Sequence, residues 1–456
     1  MTVFKVLFLS AGIIGLNTAI PISPTIKSQS NIAKEQSISS MVNDPQSKKN
    51  NSCFIPRATT ALGLLNTNND SDVVANKIKI HIPEKLTLDH CPEFPLTKWQ
   101  HYKHPVLTGF LHAYQACVVE TNDPKYPYRM WFFGWISAIC NPDYPGCDAI
   151  YHARSKNLKK WEVYCKDGSW DAGGNNSKWA SILYSSTDQS NFYDAWHSGD
   201  PSVVLKDGIY YMAYSATSKP LPKPTKGYPS GMMLSVMGAT STDGIHWIKT
   251  KKPLLKAGMD TVFPPKADQG RIGDFHRPCL LWDGEENKWK LYFDYYNAGL
   301  PGNFQMGLAE NKHDFVKGTF EFVHSLDKPL LLNWPNPEVV KIGTCYFSFS
   351  DAPGYSGAQV PKGKIKNLWM DRQIRMAQSS DGITWQKEYY IPSDPGIQAS
   401  HIPQTLVCKR NGKWWLYLFY STQVGWRKTG MNYPIFKEGQ YNWFYDQIRY
   451  MRQQIK

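Results

Sequence analysis

Twelve polar side chains in this chain are of the kinds that move protons or hold hydroxyl groups. They are His112 and Gln115; Asp194, His197 and Asp200; Asp274, His276 and Arg277; Asn336 and Glu338; and His401 and Gln404. Carboxyls and imidazoles are seldom buried without a partner or a task, so their convergence on one pocket would mark a site. Breaking a bond between two sugars needs a protonated carboxyl at the leaving oxygen and an ionised carboxylate across the ring. Burial and neighbouring charge can hold two such pKa values apart. Asp200 and Glu338 suit those two roles, with Asp274 as a third acidic residue. Trp135, Trp196 and Trp334 fall close to these positions and offer faces on which sugar rings stack, although indole rings also serve to pack strands together. Each residue has a plainer reading as well. Asp200 before Pro201 starts a strand from a turn, Glu338 is a solvated loop acid, His276-Arg277 is an ion-paired corner, and His401 is a hydrogen-bonded structural histidine. Recurrence at one register of successive repeats favours the functional reading.

The repeat is a hairpin. Its clearest copy runs from Gly199 to Tyr214, where an apolar strand, a Lys-Asp-Gly turn and an aromatic strand follow one another. Asp-Gly supplies the positive φ angles of a tight hairpin turn. Further copies begin near Tyr114, His276, Asn336 and His401. A second repeat trails the first: Met237 to Trp247 matches Met376 to Trp385, each holding Ser-x-Asp-Gly-x-x-Trp, and Ala153 to Trp161 is a degenerate copy. Each unit therefore reads as about four antiparallel strands. Five units predict an all-β fold, a five-bladed β-propeller of four-stranded antiparallel blades. The start of each innermost strand then faces a common axial pocket, and the twelve polar residues meet there.

Around that core the composition shifts. Residues 1–20 read as a signal peptide, with Lys5 ahead of an apolar run from Val6 to Leu16 that is too short for the roughly 20 residues a bilayer span needs. Residues 21–75, rich in Ser, Asn and Lys, read as a disordered segment, and 76–456 as the propeller. Secretion or a periplasmic location follows. Asn50, Asn69 and Asn175 open glycosylation sequons. The net charge of +13 fits a basic exported protein and also an acidic polymer as partner, and no nucleic-acid motif accompanies it.

The Gly199-Asp200-Pro201-Ser202-Val203 stretch, the Ser-x-Asp-Gly-x-x-Trp repeats and Asn336-Pro337-Glu338 together resemble the five-bladed propeller glycoside hydrolases, the group of family 43 arabinanases and xylosidases and the invertase-like family 32. The resemblance covers about 76–456. It implies a glycosidase with acidic residues on the inner strands of the first, third and fourth blades. The fourth-blade acid falls on Glu338. The first blade has Gln115 where an Asp is implied, and the third has His276-Arg277-Pro278 where Arg-Asp-Pro is usual, with Asp274 upstream. The reading is a secreted hydrolase, acting by paired-carboxylate chemistry as a monomer on a plant or algal polysaccharide or its oligosaccharides. A non-catalytic carbohydrate-binding propeller is the alternative, with a phosphorylase or transferase behind it. The candidate site residues are catalytic Asp200, Glu338 and Asp274, and substrate-binding His112, Gln115, Trp135, Asp194, His197, His276, Arg277, Trp334, His401 and Gln404. No metal ligands and no cofactor are implied, a central structural calcium ion being the one exception allowed for.

Nine cysteines leave at least one unpaired, and Cys140–Cys147 is the expected disulfide, with Cys117, Cys279, Cys345 and Cys408 as core thiols. The fifth unit lacks its outer strand. The alternating Lys77 to Ile82 stretch is expected to supply it by pairing beside Tyr445 to Met451, or otherwise to dock on the fifth blade.

Overall fold

The computed structural model describes residues 83–110, 112–136, 149–185, 192–218, 233–256, 272–301, 304–312, 314–352, 373–386, 388–392, 398–423 and 447–456. The leader, the Ser/Asn/Lys-rich segment, the Lys77–Ile82 stretch and both Cys140 and Cys147 lie outside them. The first strand among the described residues is β1 (Gln100–His101). Blade one is β2 (His112–Glu120), β3 (Tyr128–Trp135), β4 (Ala149–Ser155) and β5 (Trp161–Tyr164), extended by β6 (Trp170–Asp171) and by β7 (Ser181–Leu183), which pairs with β4. Blade two is β8 (His197–Lys206), β9 (Ile209–Thr217), β10 (Leu234–Ser241) and β11 (Ile248–Lys249). Blade three is β12 (Ile272–Asp283), β13 (Lys288–Asn297), β14 (Gln305–Asn311) and β15 (Glu321–Phe322). Blade four is β16 (Glu338–Ile342), β17 (Cys345–Ala352), β18 (Gln373–Ser379) and β19 (Tyr389–Tyr390). Blade five is β20 (Gln398–Arg410), β21 (Lys413–Gln423) and β22 (Gln447–Gln454), with β1 as its outer strand. The five-bladed propeller expected from the repeats is the fold.

Five apolar clusters hold the ring, one at each seam between blades. Met212, Tyr214 and Met237 pack on Trp131 and Ile150 between blades one and two. Ala213 and Leu255 meet Phe275 and Leu291 between two and three, and Cys279 and Tyr292 meet Val339 and Tyr346 between three and four. Phe347 and Met376 meet Leu416 and Met451 between four and five, and Phe419 and Tyr450 meet Phe132 and Tyr151 at the closure. Inner strands are covered on both faces by neighbouring blades, so they read as near-continuous apolar runs. The outermost strands of blades two to five are two residues long, which leaves little edge for another chain to pair with.

The Ser-x-Asp-Gly turns add polar links across seams. Asp243 Oδ1 accepts the N–H groups of Ile245 and His246, both at 2.8 Å, and Asp381 Oδ1 does the same for Ile383 and Thr384 at 2.8 and 2.7 Å. Each turn then presents its glycine carbonyl to the preceding blade: Trp131 donates its indole N–H to Gly244 at 2.9 Å, and Tyr292 donates its hydroxyl to Gly382 at 3.1 Å. The degenerate copy keeps the geometry with Asn157, whose side chain accepts the N–H groups of Lys159 and Lys160.

Two expectations are corrected. The outer strand of blade five comes from the N-terminal side of the domain, but Gln100–His101 supplies it, pairing with Arg452 and Met451. Tyr102, stacked on Tyr450 at 4.9 Å, and Val106, bonded to Ile448 at 2.8 Å, extend the closure. The physical reason is economy of connection: a closing strand must hand the chain to β2, and residues 100–107 lie directly before it. Cys345 is not a free core thiol; it forms a disulfide with Cys91 that ties the segment before β1 to blade four. Cys117, Cys165, Cys279 and Cys408 are free and buried.

Candidate functional site

The innermost strands are all broken at one register. Pairing with the second strand slips between Tyr114 and Cys117, Gly199 and Ser202, His276 and Cys279, and His401 and Gln404, and β16 begins just after the same point in blade four. At each break a non-glycine residue is left-handed: Gln115 at φ 49°, Asp200 at 50°, Arg277 at 49°, Asn336 at 50° and Ile402 at 46°. Proline follows in four of the five (Pro201, Pro278, Pro337 and Pro403), because a residue lacking an N–H is at home in a bulge. Such backbones cost on the order of 1–3 kcal/mol each and persist where the surroundings over-determine them. A bulge of this kind takes a side chain out of the strand's regular alternation.

The residue after each bulge is a seam link. Cys117 Sγ accepts the N–H of Val203 at 3.2 Å, Ser202 Oγ that of Leu280 at 2.9 Å, and Cys279 Sγ that of Val339 at 3.2 Å. Glu338 holds the same register in blade four: its Oε1 accepts the N–H of Thr405 at 2.9 Å and its hydroxyl at 2.6 Å. Burial raises Glu338 to about 7, against the bonds from Thr405, Cys279 and Gln404 that favour its ionised form. Burial likewise pushes the Cys117 thiol up to about 12 and raises Cys279, with Glu338 as a further cause in both. Glu338 thus stands two residues further along its strand than Asp200 does along β8, a rise of about 6.6 Å.

At the bulge register itself lies a buried polar cluster. Asp294 binds three partners: His276 Nδ1 at 2.5 Å, Arg277 Nη1 at 3.0 Å and the N–H of Asn336 at 2.9 Å. Burial would raise its pKa, but Arg277 and His276 outweigh that and hold it below the usual carboxylate range. Burial depresses His276, with Asp294 opposing. Asp351 binds His401 Nδ1 at 2.9 Å and also the Asn336 side chain. Asp200 is raised by burial, opposed by Arg277, His197 and a bond from Ser215. Gln115 Nε2 donates to the carbonyls of Asp200 at 3.2 Å and Pro278 at 3.3 Å, linking three blades. Among the described residues, three buried oxygens on these side chains have no hydrogen-bond partner: Gln115 Oε1, Asp200 Oδ1 and Asn336 Oδ1.

Asp294 and Asp351 were not among the residues expected. They lie on second strands: Asp294, like Ser215 and Ser421, pairs with the residue that precedes the bulge, and Asp351 stands two residues beyond Phe349, the partner of Glu338. Ser215 Oγ and Asp294 Oδ2 accept the N–H of the next blade's bulge residue, Arg277 and Asn336 respectively. An acid inside Tyr292-Phe293-Asp294-Tyr295 was the available signal.

The other expected residues divide. His112, Tyr114, Phe133 and Trp135 form an aromatic wall, with His112 edge-on to Tyr114 at 4.7 Å and to Trp135 at 5.2 Å. His197 meets that wall at Phe133 and His401 meets it at Tyr114. Asp274 is buried in a second bulge of β12, also left-handed. Asp194 is taken up by Lys249 at 2.6 Å and Tyr214 at 3.0 Å, anchoring the turn Phe192–Asp194. Trp334 is buried, its N–H bound to Ser348 and the Arg375 guanidinium 4.4 Å from its ring. Gln404 donates to the Pro403 carbonyl and bonds Glu338 in the seam. Among the described residues no three His, Cys, Asp or Glu side chains group as metal ligands.

No family model matches the chain, and no curated protein matches it. Among solved structures it is similar to Zg3597, a family 117 glycoside hydrolase produced by the marine bacterium Zobellia galactanivorans, at 12% identity over 78% of this chain and 90% of that one, with a TM-score of 0.50. It is also similar to an alpha-L-arabinofuranosidase from Lactobacillus brevis (13% identity, 77% and 92% covered, TM-score 0.47). A third similar structure is a thermostable family 43 glycoside hydrolase (14% identity, 78% and 92% covered, TM-score 0.44). At these identities the likeness is one of fold.

Proposed function

We propose that the protein is a glycoside hydrolase acting on a plant or algal polysaccharide or its oligosaccharides. One observation carries the reading. A buried carboxyl with a raised pKa, Asp200, has an oxygen with no partner among the described residues, and so do the side chains at the same register of two other blades, Gln115 and Asn336. Sugar hydroxyls are donors that satisfy such oxygens, and the aromatic wall from His112 to Trp135 offers apolar faces to a ring. Asp200 is assigned as the group that protonates the leaving oxygen. Glu338, the other raised carboxyl, bonds in the seam between blades four and five. The Cys91–Cys345 disulfide supports export, since disulfides persist in oxidising compartments.

The second reading, a carbohydrate-binding propeller without catalysis, draws on Gln115 and Arg277 at the bulges of blades one and three. A screen of the purified protein against neutral, sulfated and uronic polysaccharides separates the two. Release of reducing ends supports the hydrolase; saturable binding without release supports the binder.

A further inference from the structure

Hydrolysis needs a base as well as an acid, and the other four bulge residues, Gln115, Arg277, Asn336 and Ile402, carry no carboxyl. We infer that His276, oriented by Asp294, is the base that activates water in this site; the inference rests on the hydrolase reading above. The geometry is specific. His276 Nδ1 lies 2.5 Å from Asp294 Oδ1, and a ring nitrogen that faces an ionised carboxylate at that distance must carry the proton. The neutral ring then has Nε2 as its acceptor. Asp294 cannot swing away, because Arg277 Nη1 and the N–H of Asn336 hold its other oxygen at 3.0 and 2.9 Å. The imidazole is therefore fixed in one tautomer and one orientation, as a general base requires. Burial raises Asp200 and lowers His276, so it favours the uncharged form of each, the pairing that an acid and a base require. Arg277 contacts Asp294 and also acts on Asp200, so it couples the two groups and does not replace either.

The step balances. Water gives a proton to His276 Nε2 while its oxygen bonds to the anomeric carbon. The glycosidic C–O bond breaks, and the departing oxygen takes the proton of Asp200. One water is consumed and two hydroxyl products form; the imidazolium and the carboxylate then exchange a proton through solvent. A base that works through water displaces the leaving group once, so the product anomer is inverted.

The test follows wild-type product by proton NMR on whichever glycoside is cleaved, and measures His276→Ala, His276→Gln and Asp294→Asn. Inverted product, a loss on the order of 100-fold in kcat for His276→Ala, and recovery of at least about tenfold with added imidazole are expected. Asp294→Asn, a positioning change, should lower kcat with KM little altered. Nitrogen NMR of the wild-type imidazole should report the Nδ1–H tautomer. Retained configuration, an Nε2–H tautomer, or a folded His276→Gln protein with near wild-type kcat would overturn the inference while leaving the hydrolase reading standing. Failure of the wild type to cleave any glycoside would remove both.

Discussion

Glu338→Gln isolates the cost of placing a carboxyl in a seam that three other blades close with Cys117, Ser202 and Cys279. Gln keeps an Oε1 to accept the Thr405 N–H and hydroxyl, so the bonds at 2.9 and 2.6 Å survive. What it loses is the proton. Glu338 titrates near 7 in the folded protein and at its ordinary 4.5 when unfolded, a rise of 7 − 4.5 = 2.5. At about 1.36 kcal/mol per unit, that is about 3 kcal/mol. The folded state binds the proton more tightly, so the contribution is fully present below pH 4.5. It is lost as pH rises through the folded pKa near 7, and it is flat above. Wild type and Glu338→Gln should therefore be similarly stable at pH 4, and the variant should be more stable by about 3 kcal/mol at pH 8. Urea unfolding of both proteins at several pH values measures the gap. Asp200 and every other titrating group are common to both proteins and cancel in the difference. A gap that stays constant from pH 4 to 8 would refute the placement of Glu338 as a buried, proton-holding seam residue.

Deleting the chain through Tyr102 should lower the melting temperature by several degrees more than replacing Cys91 and Cys345 by Ser, because it removes β1 and the Tyr102–Tyr450 stack as well as Cys91. Deletion through residue 82 should not lower it; equal melting temperatures for the truncation through Tyr102 and the Ser variant would disprove closure by Gln100–His101. Replacing Cys91 and Cys345 by Ser should cost on the order of 2–5 kcal/mol, since the bond closes a loop spanning 254 residues. Non-reducing mass mapping checks the pairing directly. Gly244→Ala should destabilise by about 1–3 kcal/mol. Its φ is +78° and a Cβ there would sit 2.7 Å from the Trp131 ring. A neutral melting curve would argue against that seam contact.

The repeats made the fold legible because turn chemistry is local: Asp207-Gly208 and the two Ser-x-Asp-Gly turns each announce a hairpin within a few residues. The inner-strand register was legible for the same reason, and it led to Gln115, Asp200, Arg277 and Asn336. Asp294 and Asp351 carry no such mark: the hairpin repeat points to first strands, whereas these second-strand acids bond the first-strand residues His276, Arg277, Asn336 and His401. Glu338 is legible as the acid of Asn336-Pro337-Glu338, but it follows its proline whereas Asp200 precedes Pro201, and its carboxyl bonds Thr405 in the seam. The closing strand, two residues long, carries no period to detect. A disulfide across 254 residues leaves no local mark either.

The central claim is that Asp200 gives a proton to a departing sugar oxygen. The direct measurement compares reducing-end release by the wild type and Asp200→Asn on the same glycoside at one pH, with melting curves of both. A loss on the order of 100-fold or more with the fold intact is the expected result. Turnover by Asp200→Asn close to that of the wild type would contradict it.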